Sequence, residues 1–151
     1  MHKDFRSPGK GFKLHIDTAD GGIPVSCILT SASMHDSGAS LPLEAMTSSR
    51  VVSLYTLMDS AYDAPVIRND VAKYGKVAII DSNPRRGEKI KFPPPEKARY
   101  KVRSTAERAN ARIKDDFGGH FVRVKGASKV MCHLMFGVIA LTTEQLVRAF
   151  V

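Results

Sequence analysis

The apolar run at residues 51–58 limits the possible folds of this chain more than any other feature. Its sequence, VVSLYTLM, is nearly continuous in apolar side chains, which is typical of a strand covered on both faces. A helix over residues 64–73 is predicted next, because Pro65 suits a first helical position and Gly75 follows the end. The short run at residues 77–80 predicts another buried strand. This order predicts two parallel strands joined by a right-handed crossover.

The amino-terminal part of the chain predicts an antiparallel hairpin. Apolar and polar residues alternate over residues 12–17, which is the period of a strand with one wet face. Turn residues at 20–22 then precede a second predicted strand at residues 23–30. His15 and Asp17 share one face of the first strand. They are either a pair of metal ligands or part of an exposed polar face, and the second interpretation is preferred.

Three aspartates lie where the chain is predicted to change structure. Asp36 is predicted to cap a short helix over much of residues 37–47, and Asp63 to cap the helix at residue 64, while His35 is assigned no role. Asp59 follows the apolar run directly and has no predicted cap to make. Ligands gather beyond the carboxyl ends of parallel strands, so Asp59 is the candidate metal ligand. Its hard oxygen atoms suit Mg²⁺ or Mn²⁺.

A polar set with the spacing Y-x2-R-x3-E-x6-K is formed by Tyr100, Arg103, Glu107 and Lys114. If residues 100–115 form one helix, all four lie within about 60° of one another on one face. Apolar residues fall on roughly the opposite side and would face a core. Such a stripe presents a carboxylate among cations. The alternative is a solvated helix in which Arg103 and Glu107 form an ordinary ion pair one turn apart.

The positive charge of the chain is local. Its formal net charge is +8, but residues 85–129 alone contain 14 basic and 5 acidic residues, a balance of +9. This field indicates nucleic acid as the first partner to consider, whereas solubility alone is the alternative explanation. Residues 82–97 are predicted to be a basic loop, and FVRVKG at residues 121–126 a short basic strand or turn. An RNA-binding domain is less favoured, because only 7% of residues are aromatic.

Length and composition predict one globular domain in a reducing compartment. A chain of 151 residues with 43% hydrophobic content can bury a core. Cys27 and Cys132 lack metal-ligand spacing and indicate cytoplasmic thiols. The amino terminus has no apolar core of the kind a signal peptide needs. The longest apolar run, residues 130–141, is too short to cross a bilayer, so no membrane span is expected. The last helix, residues 129–150, is expected to pack against the sheet.

Four segments of the chain resemble bacterial insertion-sequence transposases of the DDE type. They are GFKLHIDTADGGIPVSCILTSASMHDS, LMDSAYDA, YKVRSTAERANARIK and RVKGASKV. The resemblance covers nearly the whole chain and implies an α/β fold, a ribonuclease H-like mixed sheet flanked by helices. It implies that Asp59 is the second catalytic aspartate and Glu107 the catalytic glutamate, both binding metal. The DNA-binding residues that it implies are Tyr100, Arg103, Lys114, Arg123 and Lys125.

The resemblance also implies a reaction and its partners. Hydrolysis at transposon ends with Mg²⁺ or Mn²⁺ would be followed by attack of the freed 3′-hydroxyl on target DNA. The partner is therefore double-stranded DNA, and the expected location is the cytoplasm, associated with the nucleoid.

The chain departs from the family pattern at its amino terminus. The family's first catalytic aspartate lies on a strand upstream of the segment GFKLHID, and here no apolar run precedes Phe12. We expect a sheet without its first strand, with residues 1–11 as a basic disordered terminus and residues 12–151 as a partial catalytic domain. Asp4 and Asp17 are weak substitutes for the missing aspartate.

Two expectations follow from a missing strand. Unpaired strand edges predict marginal stability or self-association, and catalysis is expected only as part of a longer chain. The alternative to a transposase catalytic domain is a truncated, inactive remnant that binds nucleic acid through its basic surface.

Overall fold

The computed structural model describes residues 11–82 and 91–150. The elements in chain order are β1 (Phe12–Thr18), β2 (Pro24–Ser31), α1 (Asp36–Ser48), β3 (Tyr55–Met58), α2 (Pro65–Lys73), β4 (Val77–Ile80), α3 (Pro94–Tyr100), α4 (Arg103–Asp115) and α5 (Ala127–Phe150). The predicted disordered segment at residues 1–11 lies outside the described residues except for Gly11, and so does half of the predicted basic loop, residues 83–90.

The predicted hairpin is confirmed. Strands β1 and β2 pair in antiparallel fashion, with Phe12 opposite Ser31 and Ile16 opposite Cys27. A 3-10 turn at Asp20–Gly22 joins them. Gly22 has a φ of +76°, and a side chain there would meet Thr105 of α4, so glycine suits both the turn and the close approach of the helix.

The predicted parallel pair is also confirmed, but its first strand is shorter and more open than expected. Strand β3 pairs in parallel with β4, with Tyr55 opposite Val77. Helix α2 connects them and covers β4 through the buried residues Ile67 and Val71. The prediction that residues 51–58 are covered on both faces is wrong, since the side chains of Val52 and Leu54 are 100% and 70% exposed.

Helices lie on both faces of the hairpin. On one face, Leu14 and Ile16 pack against a buried cluster from α4 and α5, formed by Ala109, Ile113, Val138 and Leu141. On the other face, the Lys13 amine contacts the Asp36 carboxylate of α1 at 2.9 Å. His15 and Asp17 also lie on this second face and are partly buried, so the prediction of an exposed polar face is wrong. Helix α1 supplies the cover that the sequence pattern did not reveal.

The starts of α1 and α2 differ from the predicted caps. His35, not Asp36, caps α1, because the His35 ring accepts a hydrogen bond from the Ser37 amide at 3.3 Å. Ala64 occupies the cap position of α2 without a side-chain hydrogen bond. Asp63 instead pairs with Arg68 at 2.9 Å, between its Oδ1 atom and the Arg68 Nη2 atom. The prediction that Asp36 and Asp63 cap these helices is therefore wrong. Both carboxylates form ion pairs instead, Asp36 with Lys13 and Asp63 with Arg68.

The predicted helix over residues 100–115 is interrupted. Tyr100 ends α3, and α4 begins only at Arg103, after a turn at Lys101 and Val102. This turn has shorter-range hydrogen bonds, such as the one from the Val102 amide to the Arg99 carbonyl at 3.0 Å. Helix α3 begins at Pro94, inside the segment predicted to be a loop. Residues 121–126 form neither a helix nor a strand.

The predicted last helix is confirmed as α5. It extends beyond the apolar run at residues 130–141, and only one of its faces is buried. Its buried residues include Leu134, Val138 and Leu141, whereas Phe136 and Phe150 are 69% and 88% exposed. By length and composition alone it could cross a membrane, and 28% of its most apolar 18-residue stretch is buried. Core helices of globular proteins pass the same test, and α5 contacts both β2 and α4.

Candidate active site and basic groove

Asp59 lies just beyond the carboxyl end of β3, as predicted. Its Oδ1 atom accepts a hydrogen bond from the Ala61 amide at 3.0 Å and caps the 3-10 turn Ser60–Tyr62, so the expectation that Asp59 has no cap to make is wrong. Its Oδ2 atom lies 3.5 Å from the Arg103 Nη2 atom. The cap fixes the direction of the carboxylate, and its second oxygen faces α4.

Glu107 approaches the same arginine from α4. The Arg103 Nη1 atom lies 3.0 Å from the Glu107 Oε1 atom, one helical turn away. The Glu107 side chain is 58% exposed and that of Asp59 is 42% exposed, so both can reach solvent. Two carboxylates that are distant in sequence therefore share one guanidinium. Their catalytic and metal-binding roles remain predictions.

A small cavity adjoins this cluster and exposes two residues that the sequence did not suggest. It has a volume of about 190 Å³, and its lining includes Asp59, Tyr62, Arg103, Glu107 and Asn110. Burial, followed by the negative charges of Asp36 and Asp59, raises the pKa of Tyr62 to about 12. Its hydroxyl therefore keeps its proton at neutral pH. Tyr62 follows Asp59 by three residues, and Asn110 follows Glu107 by three residues. That spacing is the sequence feature from which the two residues could have been predicted as neighbours of the carboxylates.

Tyr100 contacts Arg103 although the two lie on different helices. The Arg103 Cζ atom lies 5.7 Å from the centroid of the Tyr100 ring, within the range of a cation–π contact. The centroids of the Phe92 and Tyr100 rings lie 4.8 Å apart. Three of the four residues of the predicted stripe, Tyr100, Arg103 and Glu107, are thus brought together by the turn between α3 and α4.

A second, larger cavity carries the basic residues. It has a volume of about 750 Å³ and is lined in part by Lys13, Lys114 and Lys125. His15 and Asn110 line both this cavity and the smaller one, so the two cavities are adjacent. We call this path from Glu107 to Lys125 the basic groove. Arg123 is exposed but is not among the residues that line it.

The donors near Asp59 suit a hard cation held jointly with a substrate. Among residues 11–82 and 91–150, no group of three or more acidic, histidine or cysteine side chains is arranged to hold a metal ion. Mg²⁺ commonly takes one or two carboxylates and fills its remaining positions with water and substrate phosphate. Asp59 and Glu107 meet that requirement, because their carboxylate oxygens are the hard ligands that Mg²⁺ and Mn²⁺ prefer.

A family model described as a transposase DDE domain matches residues 6–143, which is most of the chain. Neither the curated proteins nor the solved structures gave a match.

Proposed function

The chain belongs to the transposase DDE domain family, and from that premise we propose that it cleaves DNA at transposon ends and joins the freed 3′-hydroxyl to target DNA. The family acts in DNA transposition. We assign the cleavage site of this chain to Asp59 and Glu107, with Mg²⁺ or Mn²⁺ as the metal. The observation that carries the assignment is the single Arg103 guanidinium contacted by both carboxylates.

The surrounding fold supports this assignment. A hairpin and a parallel strand pair, with helices on both faces of the hairpin, are compatible with the ribonuclease H-like arrangement that we propose. Asp59 lies at a strand end, the usual place for a site in such sheets. The basic groove begins at Glu107 and runs toward Lys125, so it offers a path for a phosphate backbone next to the carboxylates.

Each residue has a proposed role. Asp59 and Glu107 would hold a divalent ion, which when bound neutralises the charge that develops on the phosphodiester and activates a water molecule. The Ala61 amide keeps Asp59 oriented toward α4. Tyr62, with its proton retained, can donate a hydrogen bond to a phosphate or water oxygen. Lys114 and Lys125 would bind phosphates along the basic groove, and Tyr100 would hold Arg103 in position.

Nicking of supercoiled plasmid by the full chain tests this proposal. Nicking is expected with Mg²⁺ or Mn²⁺ and is expected to stop when EDTA removes the metal. Asp59→Asn and Glu107→Gln should each lower the rate by about 100-fold or more, because each removes a charged metal ligand. Asp63→Asn, a neighbouring carboxylate that pairs with Arg68, is the matched control and should keep activity. Full activity in Asp59→Asn or Glu107→Gln would refute the assignment.

A second candidate function is nucleic-acid binding without cleavage. It is favoured because, in the part of the chain that the structure describes, no third acidic side chain is arranged with Asp59 and Glu107 to hold a metal ion. In that case DNA binding through the basic groove persists, strongly salt-dependent, while plasmid remains intact at every metal concentration. The nicking assay separates the two functions directly.

A further inference from the structure

One face of α5 is mostly apolar and exposed along nearly its whole length. Six positions of this face follow one another at alternating steps of four and three residues. We call them the exposed seam, and its residues are Cys132, Phe136, Ile139, Thr143, Leu146 and Phe150. These steps average about 3.5 residues, which is the repeat of a helix that packs lengthwise against another helix, as in a coiled coil.

The opposite face of α5 already packs against its own domain. Its buried residues include Leu134, Val138 and Leu141, and the last two pack with residues of α4. A helix that is held by one apolar face ordinarily carries polar residues on the other face. Here the second face is apolar too, and all six residues of the exposed seam are exposed. The part of the chain that the structure describes leaves this seam uncovered.

The exposed seam carries no charged residue. From residue 130 to residue 147, the only lysine, arginine, aspartate or glutamate in the sequence is Glu144, which is not part of the seam. The Glu144 carboxylate lies 2.7 Å from the Arg112 guanidinium and also pairs with Arg148, so its charge is balanced within the chain. A charged partner such as DNA would lose hydration at the seam without gaining an ion pair. The seam therefore suits an apolar partner.

The apolar area of this face is large enough for a dimer. Phe136 and Phe150 are 69% and 88% exposed, and Ile139, Leu146 and the adjacent Val147 are 56%, 41% and 56% exposed. With about 150–250 Å² for each phenylalanine side chain and somewhat less for each aliphatic one, these five expose roughly 600 Å² per copy. Pairing two such faces hides about 1,200 Å² in total, which is at the lower end of the range for stable interfaces.

The exposed seam matches itself when two copies run in opposite directions, because its positions are symmetric about residue 141. The facing pairs are then Cys132 with Phe150, Phe136 with Leu146, and Ile139 with Thr143. Each pair joins a larger side chain to a smaller one, so the layers have similar volumes and can interdigitate. Two parallel copies would instead place Phe136 against Phe136 and Cys132 against Cys132, so crowded layers would alternate with loosely filled ones. Antiparallel helix dipoles also attract.

We propose that the exposed seam of α5 binds the same seam of a second copy of this chain, in antiparallel orientation, and forms a two-fold symmetric dimer. The same residues of both copies then contribute to one interface, as two-fold symmetry requires. The small residue Ala140 is exposed beside the midpoint of the seam, where the two helices come together. The contact lies on α5 rather than on the strand edges, and the inference does not depend on DNA cleavage.

Sedimentation velocity of the full chain over a series of concentrations tests the dimer. The parent chain is expected to shift from monomer to dimer as its concentration rises. Ile139→Glu puts a charge into the central layer and should raise the dissociation constant about 100-fold or more. Val66→Glu on α2 is the matched control, since Val66 is 60% exposed and Ile139 is 56% exposed, and it should dimerise as the parent does. Circular dichroism confirms that both variants are folded before they are compared.

Disulfide crosslinking tests the orientation. Cys132 is free and exposed, and in the antiparallel dimer it faces residue 150 of the second copy. Phe150→Cys should therefore give a disulfide-linked dimer on mild oxidation, with Cys132 joined to residue 150 in the mapped peptides. In the parent chain the two copies of Cys132 lie about 27 Å apart and should not crosslink. Adding Cys132→Ser to Phe150→Cys should abolish the link.

Four outcomes would contradict the proposal. A parent chain that stays monomeric at the highest concentration would refute the dimer, and equal dimerisation of Ile139→Glu and the parent would place the contact elsewhere, such as on the strand edges. A disulfide between two copies of Cys132 in the parent chain would reject the antiparallel orientation. Flotation of the chain with vesicles of phosphatidylcholine and phosphatidylglycerol, if it is lost in Ile139→Glu, would identify a lipid surface as the partner instead.

Discussion

Arg103 and Asp59 meet beyond the carboxyl end of β3, with 3.5 Å between the Arg103 Nη2 and Asp59 Oδ2 atoms. The same guanidinium contacts Glu107 at 3.0 Å. One positive charge therefore faces two negative charges, and the cluster keeps a net negative charge inside a basic part of the chain. Such a cluster attracts a cation even where the wider surface attracts DNA.

Removing the Arg103 charge should strengthen metal binding. Arg103→Gln removes the cation that competes for both carboxylates, so the affinity of the chain for Mn²⁺ without DNA should rise about tenfold. Titration of Mn²⁺ followed by electron paramagnetic resonance measures the free ion. Lys114→Gln makes the same charge change elsewhere on α4 and serves as the control. Equal affinities in the two variants would show that Arg103 does not compete with metal.

Binding of DNA should follow the basic groove. Lys114→Gln and Lys125→Gln each remove one phosphate contact, so each should weaken binding to all sequences alike and reduce the slope of log K against log salt by about 1. Arg123 lies outside the lining of the groove, and Arg123→Gln should have a smaller effect. Fluorescence anisotropy at several salt concentrations gives the slopes. The exposed Lys73 on α2 supplies the control, Lys73→Gln, and a comparable loss there would argue against a localised groove.

A buried ion pair between α1 and the residue that precedes β4 should control stability. The Lys76 amine lies 2.8 Å from the Glu44 carboxylate, and both side chains are buried. Glu44 also accepts hydrogen bonds from Ser48 and Thr56. Lys76→Met leaves a buried carboxylate without its cation and should lower the free energy of unfolding by about 3–5 kcal/mol. Urea denaturation measures this change.

Two further variants test the origin of that loss. The double variant Glu44→Gln with Lys76→Met removes the unpaired charge and should lose less stability than Lys76→Met alone. Lys73→Met breaks an exposed pair with Asp70 and should cost at most about 1 kcal/mol. If the single and double variants at Glu44 and Lys76 are equally destabilised, lost packing rather than an unpaired charge is the cause.

Asp17 should make stability depend on pH. Burial raises the pKa of its carboxyl group, and Glu44 adds to the shift while Thr47 and Lys76 oppose it. The folded chain therefore binds this proton more tightly than the unfolded chain does. The contribution of Asp17 to stability is fully present below the ordinary aspartate pKa and is lost as pH rises through the raised value.

Asp17→Asn removes this ionisation and should raise the Tm at neutral pH. The difference from the parent chain should shrink as the pH falls toward about 4, where the parent carboxyl becomes protonated. Thermal melts followed by circular dichroism at a series of pH values measure the difference. Asp20→Asn, at an exposed position in the hairpin turn, is the control and should leave the curve unchanged. A gap that widens at low pH would reverse the assigned sign.

Elements set by local periodicity were predictable. Alternation over residues 12–17 gave the hairpin, and the two apolar runs around α2 gave the parallel pair, because a strand or helix pattern repeats within a few residues. Caps were predicted less well. Aspartate often caps helices, yet Asp36 pairs with Lys13 and Asp63 pairs with Arg68. Whether a carboxylate caps a helix or forms an ion pair depends on partners that only the folded chain brings near it.

The residues of the candidate site were likewise predicted only in part. Its carboxylates, Asp59 and Glu107, were identified from a strand end and a residue spacing, whereas Tyr62 and Asn110 became visible only as neighbours in space. The helix break before Arg103 was also missed, since no proline or glycine marks it. Tyr100 reaches Arg103 across that break, so the polar set is assembled by a turn rather than by one helical face.

The sequence by itself determined the hairpin, the parallel strand pair, the long last helix and the family, because these depend on residue types and short spacings. It also proposed Asp59 and Glu107 as the carboxylates of the candidate site. The tertiary structure alone decided which surfaces are covered. It put α1 over His15 and Asp17 and left Val52 and Leu54 exposed beside an open strand edge. The physical reason is that burial and pairing depend on elements far away in the chain, and a strand's own residues do not specify which neighbour lies beside it.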